Sequence, residues 1–195
     1  MPHPTIYLAR HGETEWSLSG QHTGLTDLPL TPHGEINARA LAPRLAGLSF
    51  AKVFTSPLQR AKRTCELAGF GDVAEVMPDL VEWNYGDYEG ITTRDIQRSR
   101  PGWQIFRDGC PHGEMPDQIG ARADRVIARL RAVDADVLCF SSGHFLRVLG
   151  ARWLGLDASY GSRFLLSTAS VSALSYDHDL TEPAIKLWND TEHVV

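Results

Sequence analysis

Four short stretches of this 195-residue chain concentrate side chains suited to phosphate chemistry. The first is Arg10-His11-Gly12-Glu13-Thr14. A neutral imidazole is a good nucleophile toward phosphorus, and a phosphohistidine is labile enough for water to clear. Arg10 can hold phosphate oxygens with its planar fork of donors, and Gly12 is expected to let the backbone pass close to a bound anion. The second, Ser56-Pro57-Leu58-Gln59-Arg60-Ala61, sets Arg60 in the first turn of a helix, where the positive end of the dipole opposes a cation. A bound phosphate would relieve that conflict and use the free amides as well. In the third, Glu82-Trp83-Asn84-Tyr85-Gly86-Asp87-Tyr88-Glu89-Gly90, the leading carboxyl group is a candidate proton donor to the leaving oxygen, while Trp83 and Tyr85 read as packing. The fourth, Ser142-Gly143-His144, places a second histidine at a helix start, able to donate to phosphate oxygens as charge builds in the transition state. Singly, each has an ordinary alternative: a capped strand end, a solvated arginine, a packed loop, a hydrogen-bonded histidine.

The elements predicted around these stretches bring them together. Residues 5–9 form a short apolar run with β-branched and aromatic members, a buried-strand signal. Thr31-Pro32 reads as an N-cap and first-turn proline ahead of Ala38, Leu41, Ala42 and Leu45 at helical spacing, with a kink or break expected at Pro43. Strand two is expected over 51–54. A helix opening at Ser56-Pro57 should follow, with Leu58, Ala61, Cys65 and Ala68 on one face and Gly69 near its end. Strand three is expected over 73–77, an amphipathic helix through Ile119, Ala123, Val126, Ile127 and Leu130, and strand four over 137–140 with a further helix behind it. Strands over 170–176 and 184–188 close the chain. Alternating strands and helices imply a three-layer α/β/α sandwich with a mostly parallel central sheet, and ligands in such sheets bind beyond the carboxyl ends of the strands. Arg10 and His11 follow strand one, Arg60 follows strand two, Glu82 strand three and His144 strand four, so all converge at one edge.

Composition narrows the function classes. A single domain over 1–195 is expected, without internal repeats. Hydrophobic residues make up 43% and charged residues 22%, ordinary for a globular protein, and no apolar run approaches the roughly 20 residues of a membrane span. The Met-Pro-His-Pro-Thr start lacks the basic and apolar regions of a signal peptide. The net charge of -5 argues against a broad nucleic-acid surface, so the positive field for an anionic small molecule must come from a few converging side chains. Cys65, Cys110 and Cys139 lack metal or disulfide spacing; Cys65 and Cys139 fall inside apolar patterns, as buried thiols of a reducing, cytoplasmic setting. Neither a His-Glu-x-x-His motif nor a comparable cluster points to a metal, and no cofactor is expected. The sequence assigns no oligomeric state.

The Arg10–Thr14 run, followed by Trp16, Thr23-Gly24, Leu30-Thr31 and Gly34, resembles the signature of the histidine phosphatase, or phosphoglycerate mutase-like, superfamily. Ser56, Leu58, Arg60, Ala61 and Thr64 continue the resemblance, then Glu82 with Gly86, Tyr88, Glu89 and Gly90, Gly113-Glu114, and Ser142-Gly143-His144. It implies His11 as the phosphorylated nucleophile, Arg10, Arg60 and His144 as the phosphate pocket, Glu82 as general acid and base, and Ser17, Thr23 and Gly24 beside the substrate. Three positions depart from the usual pattern: Ser17 for asparagine, Met115 for serine after Gly-Glu, and Phe145-Leu146 where glycine often follows the second histidine. Trp16-Ser17, the 19–24 run and Gly143-His144-Phe145 together resemble a sugar-bisphosphatase and acid-phosphatase branch that includes sedoheptulose-bisphosphatase-like enzymes. A mutase must keep water from the waiting phosphohistidine, and the segment from Ile91 to Pro111 is short for such a lid, so a phosphatase is expected over a phosphoglycerate mutase. A non-catalytic phosphate-binding domain is disfavoured because His11, Glu82 and His144 are all present. Arg94, Arg98, Arg100 and Arg107 leave two readings open: a solvated charged helix, or, with His22, a grip on the far phosphate of a sugar bisphosphate.

Overall fold

The computed structural model describes residues 3–194. The N-terminal and single-domain expectations include Met1, Pro2 and Val195, which lie outside the described residues. Six strands form one sheet in the order β3-β2-β4-β1-β5-β6. β1 (Ile6–Arg10), β2 (Lys52–Thr55), β3 (Ala74–Val76) and β4 (Val137–Ser141) run parallel, while β5 (Val171–Tyr176) and β6 (Pro183–Asp190) add two antiparallel pairings at the β1 side. The sheet is mostly parallel, as expected.

β4 is buried along its whole length, and its side chains alternate between two cores as a period of two requires. Val137 and Cys139 pack with Ile6, Leu8 and Phe54 on the face covered by α6 (Pro116–Arg131) and α7 (Gly143–Trp153). Leu138 and Phe140 pack with Ala9, Val53 and Val171 on the opposite face, covered by α2 (Pro32–Leu45) and α3 (Gln59–Leu67). Cys65, Cys110 and Cys139 are all buried and unpaired.

Two local expectations are corrected. The break expected at Pro43 does not occur: α2 runs through it and ends two residues later, because a proline in the last turn removes one N–H where the hydrogen-bond ladder is about to stop. α3 starts at Gln59 with Leu58 as N-cap, so Pro57-Leu58 forms a bend ahead of the helix, and Arg60 keeps its first-turn position. Between β3 and α6 lie only short elements, α4 (Thr93–Ser99) and α5 (Ile105–Asp108) among them; a further short helix, α1 (Glu15–Ser19), follows β1.

Candidate active site

The β1–β4 register decides how the site assembles. Arg10 pairs with Ser141, and the His11 N–H continues the ladder onto the Ser141 carbonyl at 2.9 Å. His11 and the Ser142-Gly143-His144 turn therefore leave the sheet side by side. On the other flank of β4, Ser56 N–H donates to the Phe140 carbonyl, delivering α3 and Arg60 to the same edge. The Glu82 segment is tied in by Ser141 Oγ, which donates to the Leu80 carbonyl at 2.6 Å. The result is a cavity of about 240 Å³ bordered by Arg10, His11, Ser17, Thr23, Glu82 and His144, together with Trp16, His22, Tyr85, Thr93, Arg147 and Leu166.

His11 is 4% exposed, and its Nδ1 lies 2.7 Å from the Gly12 carbonyl. A carbonyl can only accept, so Nδ1 carries the proton and Nε2 keeps its lone pair. Burial, then the charges of Arg60 and Arg10, hold its pKa well below the usual histidine value. The ring is thus neutral at pH 7 and nucleophilic at Nε2. Gly12 serves a purpose other than the expected one: its N–H is spent on Thr64 Oγ1 at 3.0 Å, and a Cβ there would sit 2.4 Å from the Gly34 carbonyl oxygen. The glycine is required by packing of the loop on α2.

The two arginines differ. Arg10 lines the cavity, donates from Nη1 to the Leu166 carbonyl and leaves its buried Nε without a protein partner. It lies against α7, where a Cβ on Gly143 would meet its guanidinium carbon and Nε at 3.1 Å. Arg60 is fully buried and is not part of the cavity wall; it donates to the carbonyls of Thr23, Gly24 and Thr26, with Nε again unpartnered. The conflict at the start of α3 is relieved by protein groups, since Asp27 accepts from the Gln59 N–H at 2.7 Å. Burial lowers the pKa of both guanidiniums, opposed chiefly by the Glu82 carboxylate. The pair sets a positive field around His11, from the wall and from behind it.

Glu82 occupies the anion position at the α7 N-terminus: Oε1 accepts from Trp83 N–H and Phe145 N–H, and Oε2 from His144 N–H. Oε2, with one donor, is the oxygen with room for a proton. His144 is kept neutral by burial, with Arg147, His22 and Arg10 opposing a charge. Its Nδ1 lies 2.5 Å from the Tyr85 hydroxyl. Tyr85, expected only to pack, is buried and also borders the cavity. His22 stacks on it with ring centroids 4.7 Å apart; burial takes the His22 pKa down to about 4, so at neutral pH it offers a hydrogen bond rather than a charge.

Of the remaining expected residues, Ser17 and Thr23 border the cavity and Gly24 does not. The Ser17 hydroxyl closes the N-terminal cap of α1, accepting from Thr14 N–H and donating to the Thr14 carbonyl, so its proton is already used. Gly24 is held by Glu89, and a Cβ there would lie 2.6 Å from both Glu89 Oε2 and the Trp83 carbonyl oxygen. None of Arg94, Arg98, Arg100 and Arg107 reaches the cavity. Arg98 pairs with Asp95, Arg107 with Asp108, and Arg100 donates to the Tyr88 hydroxyl. The solvated reading of that segment therefore stands. Besides Arg10, Arg147 reaches the cavity, three residues past His144 on the same face of α7, a spacing legible in the sequence. It donates to the Gly161 carbonyl at 3.0 Å and lies over the Phe106 ring, and burial draws its pKa down to about 10. Among the described residues, one group could hold a metal, exposed Asp177, His178 and Glu182, at the opposite end of the sheet from His11.

Comparison with known proteins gives the same answer as the geometry. The family model described as the histidine phosphatase superfamily (branch 1) matches residues 6–191. An acid phosphatase of Mycobacterium tuberculosis is 42% identical over 185 residues, spanning 92% of this chain and 90% of the relative. The sedoheptulose 1,7-bisphosphatase of Saccharomyces cerevisiae is 39% identical over 221 residues, spanning 94% and 79%. Among solved structures, a functionally characterised open reading frame of M. tuberculosis superposes with a TM-score of 0.91 at 39% identity, covering 96% of this chain and 98% of the other.

Proposed function

This chain belongs to the histidine phosphatase superfamily and is a phosphoric monoester hydrolase, and we propose that it works through a phosphohistidine at His11 on small phosphorylated sugars. The observation that carries this reading is the state of His11: buried, neutral, with Nδ1–H committed to the Gly12 carbonyl and the Nε2 lone pair left for phosphorus.

In the first step Nε2 attacks phosphorus and the bond to the ester oxygen breaks. Glu82 Oε2 takes up the proton of the substrate's phosphate monoanion and passes it to that leaving oxygen, so the sugar departs as an alcohol and Glu82 is left a carboxylate. Arg10 and His144 donate to the equatorial oxygens, and Arg60 contributes its charge from behind His11. In the second step the Glu82 carboxylate takes a proton from water, the resulting hydroxide attacks phosphorus, and the N–P bond breaks to release phosphate and restore neutral His11. Thr23 and Ser17 flank the substrate, and Gly24 shapes the loop that carries Thr23. The wall formed by Arg147 and His22 faces the remote end of the substrate. The names of the acid phosphatase and sedoheptulose 1,7-bisphosphatase relatives support a sugar-phosphate substrate, and the Arg147 guanidinium suits a second phosphate.

The reading includes one catalytic domain spanning the chain, acting on a small anion rather than nucleic acid, in a reducing cytoplasm consistent with three unpaired buried cysteines. No helix among the described residues is long and apolar enough to cross a membrane.

Incubation with a ³²P-labelled sugar phosphate and rapid quenching tests the covalent step. Wild-type protein should yield an acid-labile, base-stable label, and His11→Ala should lose both label and turnover. Turnover near wild type in His11→Ala would end the proposal.

A further inference from the structure

His144 can help a phosphoryl oxygen only through a nitrogen that bears hydrogen. Being neutral, its ring has one N–H, and the position of that hydrogen decides whether the nitrogen facing the cavity donates or accepts. The main-chain N–H of His144 is fixed by Glu82, but that bond leaves the ring hydrogen undetermined. The ring nitrogen with a protein partner is Nδ1, 2.5 Å from the Tyr85 hydroxyl. Two arrangements fit that distance: the phenol donates to Nδ1, or Nδ1–H donates to the phenolic oxygen.

The surroundings choose between them. Tyr85 is 2% exposed, and among the described residues the phenol has no hydrogen-bond partner besides His144. Were Nδ1–H the donor, the phenol's own hydrogen would have no protein acceptor among the described residues and could turn only to the cavity, and His144 would present a bare Nε2, unable to donate, to a phosphoryl oxygen there. Ionisation offers no escape, because burial, reinforced by the Glu82 charge, pushes the phenol pKa well above its usual value. The ring itself is held from its other sides, with Phe106 edge-on at 5.1 Å and His22 at 6.0 Å between centroids.

We propose that Tyr85 is a positioning residue that donates its hydroxyl hydrogen to Nδ1 of His144, placing the ring hydrogen on Nε2, where it faces the phosphoryl oxygens. The consequence for turnover rests on the reading of His144 as a phosphate donor; the position of the hydrogen does not.

The first test is the ¹⁵N spectrum of the wild-type protein with ¹⁵N-histidine, with the His144 signals assigned by their loss in His144→Asn. The expected result at pH 7 is a protonated Nε2 and a bare Nδ1; a protonated Nδ1 overturns the proposal. The second test is a double-mutant cycle. Tyr85→Phe should lower kcat by roughly three- to tenfold with KM little changed, the scale of one neutral hydrogen bond. In a His144→Asn background the same change should cost nothing further, since its action passes through the imidazole. Full additivity of the two losses overturns the proposal. Loss of the His11 label from wild type would instead overturn the covalent reading and leave the ¹⁵N result intact.

Discussion

Two groups of buried arginines are built to opposite specifications. Arg122, on α6, is 6% exposed and fully engaged: it forks onto both oxygens of Glu114, donates to the carbonyls of Asp79, Val81 and Glu82, and lies 4.5 Å from the Phe145 ring centroid. Beside His11, Arg10 and Arg60 make no salt bridge among the described residues, bond only to carbonyls and each leave a buried Nε without a partner. A buried charge is expensive unless neutralised and hydrogen-bonded. The Arg122 group meets that cost within the protein and holds residues 79–82, which carry Glu82, in place. The Arg10–Arg60 group is only partly offset, chiefly by the Glu82 carboxylate, and leaves positive potential that a phosphate would compensate. One region is arranged for the folded state, the other for a bound anion.

The comparison predicts which property each region controls. Arg122→Ala should cause the largest stability loss, about 3–5 kcal/mol, because buried Arg122 is deleted with all its bonds and the half-buried Glu114 carboxylate loses its ion-pair partner. Urea unfolding would show it as a lower midpoint, while the folded fraction should still take the His11 label. An unchanged midpoint would erase the distinction between the two regions.

Arg10→Met should do the reverse, lowering kcat/KM by about a hundred- to a thousandfold while leaving the unfolding midpoint unchanged or raised. It also carries a pH signature. The Arg10 charge is one of the causes that hold the His11 pKa down, so its removal should move the acid limb of the pH–rate profile to higher pH. For stability the sign follows from proton binding. His11, His22 and His144 have folded pKa values below the unfolded value near 6.5, so on acidification the unfolded chain takes up protons first. Their contribution is therefore present above about pH 6.5 and is lost as pH falls toward the folded values, close to 4 for His22. An acid limb that fails to move in Arg10→Met would separate Arg10 from His11.

The smallest effect concerns the outer cavity wall. Arg147→Gln should reduce the preference for a sugar bisphosphate over its monophosphate by about ten- to a hundredfold in kcat/KM, the worth of one charged hydrogen bond of about 1.5–3 kcal/mol. Arg107→Gln, which breaks an exposed pair with Asp108, should alter neither substrate. A metabolite panel on both variants measures this, and equal loss on mono- and bisphosphates would place Arg147 in the reaction rather than at the remote end.

Much of this contrast was open to sequence reasoning, and where it was not the reason is physical. Arg147 sits one helical turn beyond His144, so its face could have been found from spacing alone. The partners of Arg122 lie 8 residues away at Glu114 and about 40 away over residues 79–82, and no local pattern reports them. The four arginines between 94 and 107 drew attention by charge density, but charge density carries no direction; short helices with local carboxylates at Asp95 and Asp108 turned that charge outward.

The sequence by itself determined the parallel strands, the helices between them and the arrival of Arg10, His11, Arg60, Glu82 and His144 at one sheet edge. These follow from periodicity and from residues a few positions apart, which act wherever the rest of the chain lies. Only the tertiary structure decided which of their donors stay available. Gly34 and Thr64 give Gly12 a packing role, Asp27 takes the α3 amide, and the loop over 23–26 consumes Arg60. Glu82 claims the α7 N-terminus and Tyr85 sits on His144 Nδ1. Hydrogen-bond partners saturate one another across long sequence separations, so what remains free to act on a substrate is set by the fold as a whole.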